Sequence, residues 1–151
     1  MTKVLLALHV VAAIVAIGPV TVAASMFPPA ARRADGESGV AQVALLYRIC
    51  RVYAAIGIAV PLFGLATAIA LGVLADTWVV FSIALTAAAA GVLGLMILPG
   101  QAELLARLRG AGPVLVRADT AQLAMLTGVF NLLWVVVTVL MIVRPGSTTG
   151  V

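Results

Sequence analysis

The chain has 151 residues, of which 64% are hydrophobic and only 9% charged, with a mean hydropathy of +1.26. That composition excludes an ordinary soluble domain, and several spans of about 20 residues each leave no room for a separate soluble catalytic domain. The formal charge of +4 would suggest nucleic acid in a soluble protein, but these arginines flank apolar runs and meet anionic lipid headgroups more naturally. We therefore expect anionic lipids as partners and no nucleic acid.

The first apolar run, residues 4–27, is closed by Pro28 and Pro29, which predicts the end of span one there. Lys3 and Val22-Ala23-Ala24 imitate a signal peptide, but the run is too long for a signal core and reads as a retained helix. Asp35 to Gly39 reads as a turn, with helix resuming near Val40 at the membrane interface. Span two is expected over residues 52–75, with Tyr47, Arg48, Arg51 and Tyr53 as anchors. Asp76-Thr77 forms a tight turn into span three, residues 78–98, which Trp78 opens and Pro99-Gly100 ends. A short amphipathic helix then carries Glu103 and Arg107 at i,i+4 spacing, and Gly110 to Pro113 break it. Asp119-Thr120 caps span four, residues 120–143, and a polar tail from Ser147 follows Arg144-Pro145-Gly146.

The fold class expected is thus all-α: a single domain of four transmembrane helices in an antiparallel bundle. Arg32, Arg33, Arg48 and Arg51 follow span one, and Arg107, Arg109 and Arg117 lie between spans three and four. Only Lys3 and Arg144 fall elsewhere, so the positive-inside rule puts those seven arginines in the cytoplasm as anchors and both termini outside a bacterial plasma membrane. Arginine outnumbers lysine eight to one, and Ala, Val and Gly are abundant, which fits a GC-rich bacterial source. Each half of the chain is a helical hairpin with an arginine-bearing loop, although residue similarity between the halves is poor.

In lipid, helices associate through small residues and interhelical hydrogen bonds. Gly57, Gly64, Ala68 and Gly72 in span two and Ala87 and Gly91 in span three, with Ala90 and Gly94 beside them, predict that the small faces of these two spans meet. A face reserved for a partner protein is the functional alternative. Pro19 and Pro61 each remove an i to i−4 bond, so kinks are expected at both. Asn131, midway along span four, needs a hydrogen-bond partner, for which Thr67, Thr86 and Thr127 are at hand.

His9 is the only histidine, and an ionisable group within a span is a functional candidate by default. Met141 ends at a similar depth, and a His/Met pair is chemically fit to ligate haem iron or copper. A neutral histidine hydrogen-bonded to a neighbouring helix is the structural alternative. Cys50 is the only cysteine, which excludes a disulfide within the chain, and it reads as a small apolar residue. The acids Asp35, Glu37, Asp76, Glu103 and Asp119 fall at turns or helix ends, and no nucleophile with a base or phosphate-binding loop is evident, so we expect no enzyme.

The segment Leu8-His9-Val10-Val11-Ala12-Ala13 with Gly18, the arginine pair after span one, and Phe130-Asn131-Leu132-Leu133-Trp134 resemble a bacterial family of four-helix integral membrane proteins of unknown function. His9 in the first helix also resembles copper-resistance D-type membrane proteins, whose further histidines this chain lacks. A third likeness is to small mycobacterial membrane proteins, among them accessory subunits of the cytochrome bcc and cytochrome oxidase supercomplex. That resemblance implies a non-catalytic structural or assembly subunit of a respiratory complex, with other membrane subunits as partners, bound lipids and no cofactor of its own. The alternative is a small haem- or metal-binding or transport protein that uses His9.

Overall fold

A computed structural model describes residues 2–111, 115 and 117–146. The break expected at Gly112 and Pro113 and the polar tail expected from Ser147 lie outside the described residues. The rest is all-α: α1 (Thr2–Arg33), α2 (Gly36–Ile56), α3 (Ala59–Leu71), α4 (Thr77–Gly91), a π-helical segment (Val92–Ile97), α5 (Leu98–Leu108) and α6 (Arg117–Val143). These join into four rods long and apolar enough to cross a membrane: Thr2–Arg33, Gly36–Leu71, Thr77–Leu108 and Arg117–Val143. They pack as a four-helix bundle. His9 against Val60, Cys50 against Gln101, Ser25 against Asn131 and Trp78 against Arg144 fix an antiparallel register between neighbours.

Three expected boundaries are corrected. The first helix does not end at Pro28-Pro29; α1 runs through both to Arg33, because Phe27, Pro28 and Ala31 are buried and this packing offsets the missing backbone donors. Helix resumes at Gly36, well before Val40, through a corner made by Gly36 at φ +60° and by Gly39. A Cβ on Gly39 would stand 2.9 Å from the Cα of Ala34, so only glycine lets the two rods turn so tightly. The stretch after it lies inside the bundle, with Val43, Leu46 and Cys50 buried. Pro99-Gly100 likewise stops nothing. The helix widens just before it, where the Leu98 amide bonds to Leu93, five residues back, and a π turn of this kind absorbs a proline without ending the rod.

The kink expected at Pro61 appears as an interruption between α2 and α3. The Gly57 carbonyl that Pro61 cannot reach takes the Val60 amide instead at 3.0 Å, which tightens the turn. Pro19 lies inside an unbroken α1.

The rods meet unequally. α1 lies along α2, α3 and α6; α4 lies along α6; and α5 packs on α2, while α3 and α4 share few contacts. The bundle therefore closes into a ring at the arginine-bearing end and stays open between α3 and α4 at the end where α1 begins. The small faces of spans two and three do not meet as expected. Gly64 faces α1, Gly72 is the left-handed C-cap of α3 at φ +68°, and Gly91 and Gly94 have open space where a Cβ would stand. Ala68 is buried, Ala87 is exposed, and Gly57 sits at the α2/α3 break.

Candidate functional site

His9 is held by α3. Its Nδ1 lies 2.8 Å from the Val60 carbonyl oxygen, and a carbonyl only accepts, so Nδ1 carries the proton. In the tautomer with its single proton on Nδ1, the ring presents its Nε2 lone pair away from that bond. Gly64 makes the seat: a Cβ there would stand 2.8 Å from the imidazole Cε1. The antiparallel register places Met141 near the same end of the bundle, where its carbonyl accepts a hydrogen bond from the Arg144 side chain. Among the described residues, no group of three His, Cys, Asp or Glu side chains is placed to hold a metal ion.

Asn131 finds a partner that sequence spacing did not single out. Its amide nitrogen donates to the Ser25 hydroxyl at 3.3 Å, and Ser25 in turn donates to the Thr21 carbonyl at 2.7 Å. Thr67 and Thr127 instead bond back to the carbonyls of Phe63 and Leu123 within their own helices. The Asn131 Oδ1 is buried and unpartnered, as are the Gln101 Oε1 and the Trp134 Nε1.

Gln101 was missed altogether. It is fully buried, with its amide nitrogen 3.5 Å from the Cys50 sulfur, because the rod passes through Pro99 and carries residue 101 into the core. Once Pro99 is read as a helix end, nothing in the sequence flags it.

At the arginine-bearing end Arg107 joins two acids: it pairs with Glu103 as the i,i+4 spacing predicts, and with Asp119 of α6 at 3.0 Å. Arg32 donates to the Thr120 hydroxyl at 3.4 Å, tying α1 to the start of α6. Arg51 stacks on Tyr47 at 5.7 Å, and Arg48 and Arg51 border one open groove, whereas Arg33, Arg109 and Arg117 are simply exposed. At the opposite end the Trp78 indole donates to Asp76 and lies under the Arg144 guanidinium at 5.5 Å.

A cavity of about 130 Å³ lies midway along the bundle. It is walled by Ile17 of α1, Tyr53 and Ile58 at the α2/α3 break, Thr86 of α4, and Phe130 and Trp134 of α6. Phe130 and Trp134 meet edge to face, with centroids 6.3 Å apart. Comparison of the chain with family models, with curated proteins and with solved structures found no match.

Proposed function

We propose that this chain is a non-catalytic structural or assembly subunit of a larger membrane complex. The observation that carries this reading is the surface of α4 and its neighbours. Ala87, Gly94 and Gly128 are exposed on spanning helices, and both glycines have open space where a Cβ would stand. Lipid-facing positions have no need of small residues, whereas helix-to-helix contacts within a membrane are built from them. The respiratory chain as the host complex rests on the likeness to supercomplex accessory subunits alone. Purification in mild detergent after crosslinking of native membranes is the test: a stoichiometric partner is expected, and it should be lost in Gly94→Leu while the monomer keeps its helix content. A protein that elutes alone from a crosslinked extract overturns the reading.

His9 favours a second reading, a haem- or metal-binding protein, because a histidine that donates from Nδ1 to a backbone carbonyl is already oriented to ligate through Nε2. An absorption spectrum decides it. A Soret band lost in His9→Ala promotes this reading, and a colourless, metal-free protein removes it.

We further propose that the arginine-bearing end is cytoplasmic and both termini lie outside, on the strength of the arginine count. A cysteine at Gly36 should resist a membrane-impermeant thiol reagent in intact cells, and one at Thr77 should react. The reverse pattern inverts the orientation.

A further inference from the structure

The arginines at the packed end of the bundle fall into two groups. Arg107 is neutralised by Glu103 and Asp119, and Arg32 donates to the Thr120 hydroxyl. Arg48 and Arg51 are exposed on α2, and neither meets a carboxylate among the described residues. Arg51 is nevertheless held in place, with its guanidinium 5.7 Å from the centre of the Tyr47 ring. A contact of this kind orients the cation and leaves its N–H groups free to donate.

Depth decides what these two side chains meet. Twenty residues separate Arg51 from the end of the second rod at Leu71, a rise of about 30 Å, which equals the thickness of the hydrocarbon layer. Exposed large apolar side chains recur from Val52 to Leu71, whereas Leu45 is the one exposed between Gly36 and Arg51 among the described residues. Arg51 therefore stands at the edge of the hydrocarbon. Arg48, about 4.5 Å farther out, stands among the headgroups, whose layer is roughly 5–7 Å deep on each side.

Tyr47, Arg48, Arg51, Val52 and Ala55 border one open groove. It is cationic at one end, and its other end, Val52 and Ala55, continues into the apolar surface of the rod. A small soluble anion would use the first half alone, whereas a phospholipid uses both. Guanidinium groups match the oxygens of a phosphodiester. A zwitterionic lipid carries its own cation beside that phosphate, which repels the arginines, and an anionic lipid does not.

We propose that this groove is a binding site for one anionic phospholipid, its phosphodiester held by Arg48 and Arg51 and an acyl chain lying along Val52 and Ala55. The inference rests on neither the accessory-subunit reading nor the orientation of the chain, because it names a headgroup and not a leaflet.

The test is titration of the full chain in a non-ionic detergent with phosphatidylglycerol, with bound lipid counted by native mass spectrometry. Saturation at one tightly held molecule per chain is expected, and phosphatidylcholine with the same acyl chains should bind several-fold more weakly. Each arginine near a membrane surface is worth about 1 kcal/mol, so Arg48→Gln or Arg51→Gln should weaken binding about five-fold and the pair about 25-fold. Arg33→Gln with Arg109→Gln removes the same charge elsewhere on the surface and should bind as the parent does. Should the Arg48/Arg51 pair variant fail to fold, either single substitution still decides. Equal affinity in the pair variant, an equal loss in the Arg33/Arg109 control, or equal binding of phosphatidylcholine overturns the proposal. So does displacement by glycerol phosphate as effective as that by the lipid, which would reduce the groove to an ion site. If the pair variant keeps its lipid and instead loses a crosslinked protein, the arginines face a partner's carboxylates and the proposal fails.

Discussion

The two ends of this bundle are built differently. At the arginine-bearing end Phe27, Val43, Cys50, Ile97, Leu104 and Leu123 belong to one continuous core, and all four rods contribute to it. Toward the end where α1 begins and α6 stops, burial is sparse, with Val60, Thr67, Val79, Ser82 and Val137 as scattered examples. The difference follows from length and closure. A rod of 36 residues reaches about 54 Å, well beyond a hydrocarbon layer of about 30 Å, so part of it must lie outside the lipid and bury its own apolar surface there. Within the lipid the same side chains are solvated by acyl chains and need no partner, and the helices are free to part.

The sharpest way to break this comparison is to remove a large side chain from the packed end. Phe27→Ala leaves a cavity in a core that cannot collapse around it, and should cost about 2–4 kcal/mol in a titration of helix content with a denaturing detergent. Val79→Ala, equally a deletion of a buried apolar side chain, sits where neighbours are few and should cost about 1 kcal/mol or less. Equal losses would mean that the two ends are packed alike.

The His9 seat offers a finer test at the sparse end. Gly64→Ala puts a methyl group 2.8 Å from the imidazole Cε1, so the ring must leave the Val60 carbonyl, at about 1–2 kcal/mol. In a His9→Ala background the same change should be close to neutral. A cost that persists without the histidine would show that Gly64 is required for something other than this seat.

Asn131→Leu should have the smallest effect. The bond to Ser25 is long, and its loss is accompanied by removal of the unpartnered Oδ1, so the net change should stay below the roughly 0.6 kcal/mol average of interhelical hydrogen bonds in membranes. A loss above about 1.7 kcal/mol would place Asn131 among the determinants of the fold.

Hydropathy alone made the spans legible, because lipid leaves the backbone no alternative to helix and each apolar run is long enough to cross. The Glu103–Arg107 pair was equally local, being set by helical spacing. The helix ends were not legible. Pro28, Pro29 and Pro99 carry strong local stop signals, but whether a proline ends a rod depends on whether packing beyond it repays the lost bond, and Phe27, Ala31, Gln101 and Leu104 are buried by helices distant in sequence.

Partner choice was hidden for the same reason. The sequence showed that Asn131 needs a hydrogen bond and that glycines favour close approach, both properties of single residues. Only the register of α6 on α1 selects Ser25, and only the way α3 leans on α1 turns Gly64 toward His9 and leaves Gly91 and Gly94 uncovered. Composition and periodicity thus determined that the chain forms four helices in a membrane. Which faces of those helices meet, and that a cavity lies midway along the bundle, was decided by tertiary packing, since apolar faces in lipid have no hydrophobic pattern that distinguishes a neighbouring helix from an acyl chain.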